Sequence, residues 1–186
     1  MRRALEDNRR RGAMADWEIN EAIRCRWIGG PGMSAEPASL DLMLGEEAYL
    51  VPSKFSVLPG QTIRESLRRL PANMKRKITH TEYPIMSPST EWSWLIFPQH
   101  NQLKLPPGFW LRSSPKSTEG RLGNSWRLIA DYETDFNQVG KRTLRSAYQG
   151  EMAILNDPLM HANNWFPDLS VLQVMLFYGR DVSLNE

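Results

Sequence analysis

The chain has 186 residues, of which 41% are hydrophobic and 24% are charged, and its net charge is +2. These values are typical of one soluble globular domain, and so small a net charge does not by itself identify a nucleic-acid-binding protein. With one cysteine, Cys25, and no apolar run near the roughly 18 residues of a membrane span, we expect a cytoplasmic protein without internal disulfides, in a cell or an infected host.

The N-terminal residues are strongly basic, with five arginines in residues 1–12. Such an arm binds nucleic acid or an acidic partner in some proteins and is a frayed, solvated terminus in others. We expect residues 1–14 to form a flexible arm and residues 15–186 to form a single domain. A short helix is predicted from Asp16, a suitable cap, up to the glycine-rich residues 29–32.

Residues 39–51 have the pattern of a half-buried strand. Leu40, Leu42 and Leu44 alternate with residues of the opposite face, and residues 48–51 continue the strand after a short turn.

Residues 61–70 predict a helix that Pro71 ends, with Ile63, Leu67 and Leu70 on one face. Six cationic side chains make this region locally basic: Arg64, Arg68, Arg69, Lys75, Arg76 and Lys77. A charged helix face is usually only solvated, but it also borders anion sites in some proteins.

The rest of the chain is dominated by short apolar and aromatic runs separated by turn residues. These predicted strands are residues 92–97, 102–105, 109–111, 126–130, 152–155 and 171–177. Thirteen prolines and twelve glycines along the length favour many short elements over a bundle of long helices. The sequence therefore predicts an all-β barrel or sandwich with one or two short peripheral helices.

Residues 113–123 (SSPKSTEGRLG) combine hydroxyls, cations and glycines. Hydroxyls and backbone amides hydrogen-bond phosphate oxygens, and Lys116 and Arg121 supply positive charge. Glycine lets the backbone approach a ligand closely. The Walker spacing of glycine before Gly-Lys-Ser/Thr is absent. The segment indicates either a phosphate-binding turn or an ordinary solvated loop.

Several kinds of catalytic site are excluded by the residues present. A zinc-dependent nucleobase deaminase requires His-x-Glu and Pro-Cys-x-x-Cys to hold its metal, whereas this chain has one cysteine and three scattered histidines. The sequence also lacks Gly-x-Ser-x-Gly and a Gly-x-Gly-x-x-Gly that follows a strand. Cys25 is predicted to be a packed, inert thiol.

Three stretches, in the right order, resemble the deoxycytidine triphosphate (dCTP) deaminase family, part of the superfamily of the deoxyuridine triphosphatases (dUTPases). Residues 36–45 (EPASLDLMLG) resemble the family's QPASLDLRLG, and residues 115–122 (PKSTEGRL) resemble PKSSTGRL of its longer bacterial branch. Residues 148–150 (YQG) and 172–177 (LQVMLF) resemble Y-x-G and the closing x-Q-[IL]-R-F. Together these stretches extend over most of the chain.

The resemblance implies a distorted jelly-roll β-barrel of the dUTPase-like kind, usually a homotrimer with nucleotide sites at its subunit interfaces. Family deaminases convert dCTP to dUTP without a catalytic metal, some continue to dUMP, and Mg²⁺ accompanies the triphosphate. We expect no membrane or nucleic-acid partner.

The resemblance also implies roles for particular residues. Motif matching assigns phosphate binding to Lys116, Ser117, Thr118 and Arg121, and the active-site serine to Ser117. Gln173 falls on the family's late nucleotide-contacting glutamine, and base recognition is expected near residues 131–139.

One departure from the family bears directly on chemistry. Deamination at C4 of cytosine requires a general base, and the family uses a glutamate five residues after the glycine of Y-x-G. Here that glycine is Gly150 and the fifth residue is Leu155, which cannot accept a proton. Glu151 lies on the same strand face but about 13 Å away, and Asp157 could substitute only through a shift of register. A second departure is Glu119, whose charge beside a phosphate is unfavourable unless it is paired.

Three functions are compatible with these residues. The first is a divergent dCTP deaminase or a related nucleotide hydrolase. The second is an inactive family member that binds, sequesters or senses a nucleotide, including a signalling nucleotide. The third is a structural subunit that partners an active paralogue. The motifs favour a nucleotide site, and Leu155 disfavours deamination.

Overall fold

The computed structural model describes residues 12–30, 32–78, 91–121, 125–134, 137–141, 146–156 and 170–178. Within these ranges, ten strands dominate, and the expectation of an all-β fold is confirmed. The strands are β1 Gly12–Ala13, β2 Leu40–Pro52, β3 Arg76–Ile78, β4 Trp92–Pro98, β5 Gln102–Leu105, β6 Phe109–Pro115, β7 Trp126–Ala130, β8 Gln138–Val139, β9 Tyr148–Asn156 and β10 Ser170–Tyr178. The helices of the same ranges are α1 Asp16–Arg24, α2 Ile63–Arg69 and α3 Ser117–Arg121, with a 3₁₀ turn at Ala72–Met74.

The strands form one antiparallel sheet in the order β5-β9-β4-β2-β10-β6-β8, with β1, β3 and β7 attached to it. β2 is thirteen residues long and belongs to two parts of the sheet. Its first residues pair with β10, its last residues pair with β4, and the register shifts between Leu44 and Ala48. Such an irregularity bends a strand and increases its twist. The predicted alternation is confirmed, because Leu40, Leu42 and Leu44 are buried.

The alternation of β9 divides its side chains between two hydrophobic cores. Met152 and Ile154 belong to a first core that includes residues of β2, β6, β10 and α1. Ala153 and Leu155 belong to a second core that includes residues of β4, β7 and α2. Full burial of one large aliphatic side chain contributes about 1.5–3 kcal/mol. Burial of both faces therefore stabilises β9 within the sheet, with each face packed in a different core.

The first helix begins at Asp16, as the sequence predicts, but Asp16 is not its cap. The cap is Ala15, whose backbone N–H donates to Glu18 Oε2 at 2.9 Å. Asp16 Oδ1 instead accepts from the next amide, Trp17 N, at 2.8 Å. Ile19 and Ala22 are fully buried and attach the helix to the first core.

The second helix is two residues shorter at its start than predicted. Thr62 caps it, with Glu65 N donating to Thr62 Oγ1 at 3.1 Å and Thr62 N donating to Glu65 Oε2 at 2.8 Å. This reciprocal pair is a capping box. Ile63 and Leu67 are buried in the second core, so α2 covers one face of the sheet. None of the helices in the described ranges has the length and apolar character needed to cross a membrane.

Candidate functional site

The hydroxyl-and-cation segment begins where β6 ends. β6 pairs with β10 along its length, and Lys116 N donates to Val171 O at 3.0 Å just beyond the last strand residue. The chain then turns directly into α3, which is five residues long. The described part of this segment is therefore a strand end followed by a single helical turn, while residues 122–124 lie outside the described residues.

Five polar side chains form a row where β2 begins, β6 ends and β10 lies between them, which we call the polar row: Ser39, Asp41, Ser114, Lys116 and Gln173. Gln173 lies opposite both Asp41 and Ser114 in the strand registers. Opposite residues of antiparallel strands share a face, and so do residues two apart on one strand. Ser39 Oγ donates to Gln173 Oε1 at 3.5 Å, and Gln173 Nε2 donates to Ser114 Oγ at 3.3 Å. The row thus brings together Lys116 and Gln173, two of the predicted nucleotide-binding residues.

Lys116 forms an ion pair within the polar row. Its Nζ lies 2.5 Å from Asp41 Oδ2, and the two side chains are 27% and 28% exposed. Ion pairs near the surface contribute about 0–1 kcal/mol, because water and salt screen them. A phosphate brought to Lys116 therefore competes with a weak internal partner. Sequence reasoning did not single out Asp41, although it lies in the matched stretch of residues 36–45.

The remaining predicted phosphate ligands lie on α3. Ser117 and Arg121 are both exposed, and Arg121 Nε donates to Ser117 O at 3.3 Å. That bond uses one of the five guanidinium N–H groups. Thr118 is the second residue of the same helix. Two predicted phosphate ligands are thus available at the surface, directly after Lys116.

Glu119 does not share the exposure of its neighbours on α3. Its side chain is fully buried, and Glu119 Oε2 accepts from Trp126 Nε1 at 2.8 Å. The carboxylate that seemed unfavourable beside a phosphate is thus directed into the protein and has a hydrogen-bonding partner.

Leu155 lies in the apolar surroundings of the second core. It is fully buried and lies opposite Leu95 of β4 and Arg127 of β7. The next residue, Asn156, is also buried and lies opposite Trp126 on the other face of β9. Asp157 lies outside the described residues. The position that motif spacing assigns to a general base is therefore filled by a packed leucine.

The one carboxylate on β9 is Glu151, and it is engaged elsewhere. Arg64 Nε donates to Glu151 Oε2 at 2.5 Å, and Asn101 Nδ2 donates to Glu151 Oε1 at 2.8 Å. Arg64 also donates to both oxygens of Glu47, at 2.9 and 3.0 Å. We call Arg64 with Glu47 and Glu151 the Arg64 clamp. Glu151 is therefore not a spare base at the Leu155 position.

The clamp is an electrostatic feature that sequence reasoning missed. Hydrogen bonds from Arg64 hold the pKa of Glu47 below its ordinary value, and the two carboxylates raise the pKa of Arg64. The guanidinium also lies 4.4 Å from the centre of the Phe97 ring. Within the sequence, Arg64 resembled the other cations of the basic helix. The available signal was its place beside the apolar Ile63, at the start of a capped helix.

Asp131 opens the range in which base recognition was expected, and it is buried between α2 and β9. Its Oδ1 accepts from Ile63 N and its Oδ2 accepts from Glu151 N, both at 2.7 Å. Burial raises the pKa of the Asp131 carboxyl. This side chain ties α2 to the sheet, and the expectation for the remainder of residues 131–139 stays a prediction. No cluster of three or more His, Cys, Asp or Glu side chains suited to a metal ion occurs among the described residues.

Comparison with known proteins gives two positive results. The family model of the 2'-deoxycytidine 5'-triphosphate deaminase N-terminal domain matches residues 11–155. Among solved structures, the chain is similar to the 2'-deoxycytidine 5'-triphosphate deaminase from Agrobacterium tumefaciens, with 22% sequence identity and a TM-score of 0.70. That similarity covers 92% of this chain and 49% of the other, so this chain spans about half the length of that protein. No curated protein matches the chain. The structural similarity confirms the expected dUTPase-like fold.

Proposed function

The chain belongs to the dCTP deaminase family, and from this premise we propose that it binds a nucleotide but does not deaminate it. The observation that carries the proposal is the contrast between the exposed Ser117 and Arg121 of the segment that matches the phosphate-binding motif and the buried Leu155 at the position expected for the base. The segment retains the cations and hydroxyls that suit phosphate binding, whereas Leu155 lacks the group that would accept a proton.

Nucleotide binding is supported by the arrangement around β6 and α3. Lys116, Ser117, Thr118 and Arg121 bind the phosphates, with Mg²⁺ as a companion of the phosphates, and Gln173 contacts the nucleoside. Charge-assisted hydrogen bonds of this kind are the strong ones in phosphate recognition. The ion pair of Lys116 with Asp41 is partly exposed and therefore weak, and the bond from Arg121 to Ser117 O uses a single N–H. We also propose the family's homotrimer, with the nucleotide sites at subunit interfaces.

Loss of deamination is supported by the surroundings of Leu155. A hydrolytic attack at C4 needs a group that takes a proton from water and returns one to the leaving amine. Leucine has no such group, and the nearest carboxylate on the same face, Glu151, is held by Arg64. Loss of a general base typically lowers the rate by on the order of 10²–10⁴. The protein therefore acts by sequestering or sensing a nucleotide.

The direct test exposes the purified protein to dCTP, with and without Mg²⁺, and follows ammonia release and the formation of dUTP or dUMP. Binding is measured in parallel by calorimetry, for dCTP and for a panel of other nucleotides that includes cyclic ones. We expect saturable binding of at least one nucleotide and no ammonia release.

Two outcomes contradict the proposal. Turnover that Ser117→Ala abolishes would favour the alternative, a dCTP deaminase that forms dUTP or continues to dUMP. Absence of binding to every nucleotide would favour a structural subunit. Lys104→Ala is the control variant for nucleotide binding and should leave it unchanged. Lys104 is an exposed cation on β5, outside the polar row and α3.

A further inference from the structure

A pocket lies between α2 and β2, away from the polar row. Its volume is about 470 Å³, and it is lined by Tyr49, Arg64, Leu67, Arg68 and Lys75. Tyr49 and Asp41 are eight residues apart on β2, which corresponds to about 26 Å along a strand. We propose that this Tyr49 pocket binds a small organic phosphate, meaning a molecule with both a ring and a phosphate group.

The charges around the pocket favour an anion. Arg68 and Lys75 line it, and Lys77 lies directly opposite Tyr49 in the pairing of β2 with β3. The acidic neighbours are Glu47, which accepts from the Tyr49 hydroxyl at 2.9 Å, Glu151, and Glu65, which lies three residues before Arg68 on α2. Glu47 and Glu151 are bound to Arg64, and Glu65 accepts from Thr62. The residues that line the pocket thus include three cations and no carboxylate.

The two cationic side chains Lys75 and Arg68 each have N–H groups that form no hydrogen bond within the described residues. Lys75 Nζ donates to Leu67 O at 2.9 Å and to Arg68 O at 3.1 Å, which uses two of its three hydrogens. Arg68 Nε donates to Arg64 O at 3.4 Å. This is the only hydrogen bond of its guanidinium to the described residues, so four N–H groups are available. The ammonium of Lys75, held by two carbonyls, and the nearby guanidinium of Arg68 match the oxygens of a phosphate.

The floor of the pocket favours a ring beside the phosphate. Leu67 is buried, and the half-buried Tyr49 ring is held edge-on against Phe97, with centroids 6.4 Å apart. An aromatic surface of this kind gains from contact with another ring. The volume is within the range of about 300–1,000 Å³ that is usual for small-molecule sites. Inorganic phosphate leaves this apolar surface uncovered, so an organic phosphate is the better ligand.

The test titrates phenyl phosphate into the isotope-labelled protein and follows backbone amide shifts by NMR, with inorganic phosphate and phenol titrated separately. We expect saturable shifts at residues 49, 67, 68 and 75, with tighter binding of phenyl phosphate than of either fragment. Arg68→Ala is expected to weaken binding about tenfold, the usual effect of losing a hydrogen bond to a charged group. Lys104→Ala, which removes the same charge from β5, should leave the affinity unchanged.

Three results would overturn the inference: shifts confined to residues 114–121, equal affinity for phenyl phosphate and inorganic phosphate, or equal weakening by Arg68→Ala and Lys104→Ala. Thermal unfolding of each variant checks that it is folded, and because Arg68 is exposed we expect no loss. Lys116→Ala should not alter the shifts at residues 49, 67, 68 and 75. The Tyr49 pocket and the proposed nucleotide site can therefore fail independently of each other.

Discussion

Arg64 and Lys116 are both cations paired with carboxylates of the same sheet, and their surroundings differ. Arg64 contacts two carboxylates and the face of Phe97, and it joins α2 to the strands above the second core. Lys116 pairs with one carboxylate, Asp41, at the open end of β6, beside the exposed α3. A cation bound by two carboxylates and an aromatic ring stabilises a fold, whereas a partly exposed ion pair at a strand end can be exchanged for a ligand. The Arg64 clamp is therefore structural, whereas the polar row is suited to binding a nucleotide.

The largest loss of stability is expected in the second core, from Leu155→Ala. Truncation of a buried leucine typically costs about 2–5 kcal/mol, since it removes apolar contacts and leaves a cavity. Urea unfolding measures this loss, and Leu155→Met, which conserves volume, should cost less than about 1.5 kcal/mol. Nucleotide affinity should be the same for both variants. A loss as small as that of the methionine variant would mean that Leu155 is not packed in a core.

Breaking the Arg64 clamp should have the next largest effect. Arg64→Met keeps an apolar side chain near Phe97 but leaves Glu47 and Glu151 without their cation. Because Arg64 is 40% exposed, we expect a loss of about 1–3 kcal/mol rather than the full cost of a buried pair. Arg68→Ala, one turn further along α2, should change the free energy of unfolding by at most about 0.5 kcal/mol. If both variants cost the same, the clamp has no special role.

The stabilisation by the Arg64 clamp should also depend on pH, whereas stabilisation by apolar packing should not. Arg64 lowers the pKa of Glu47 from its ordinary value of 4.5. The stabilisation by this group is therefore complete above pH 4.5 and is lost as the pH falls below 4.5 through the folded-state pKa. The difference in stability between the native protein and Arg64→Met should accordingly shrink as the pH falls below 4.5. Denaturant titrations at several pH values test this, and a difference that does not change with pH would contradict it.

The smallest effect on stability is expected in the polar row. Lys116→Met should change the free energy of unfolding by less than about 1 kcal/mol, because a partly exposed ion pair contributes little. The same variant should weaken nucleotide binding about tenfold by calorimetry, through the loss of a charge-assisted hydrogen bond. Asp41→Asn sharpens the comparison, since removal of the competing carboxylate should strengthen nucleotide binding. Weaker binding in Asp41→Asn would show that Asp41 supports the ligand rather than competing with it.

Much of the strand pattern was predictable because it depends on local alternation. Residues 102–105 and 126–130 are strands with the predicted bounds, and β4 and β10 extend the predicted runs by one or two residues. β6 was predicted only to residue 111 and continues to Pro115. That continuation through polar residues is sustained by pairing with β10, a long-range contact that has no local signal.

The candidate site was predictable in part, because a motif names residue types without their partners. Lys116 and Gln173 were identified from motifs and do lie in one row. Their neighbour Asp41 and the opposite orientation of Glu119 were not apparent, since each depends on which face of an element meets another element. Arg64 was indistinguishable from the other cations of its helix for the same reason.

The sequence by itself determined the all-β class and the family, and it predicts that Leu155 stands in place of a general base, because these follow from periodicity and from the order of residues. Only the tertiary structure decided that Leu155 is sealed in a core, that Glu151 is bound by Arg64 and that Lys116 faces Asp41. Those outcomes depend on long-range strand pairing and on burial. Pairing brings together residues that are far apart in the chain, and burial determines how strongly each charged group interacts with its partner.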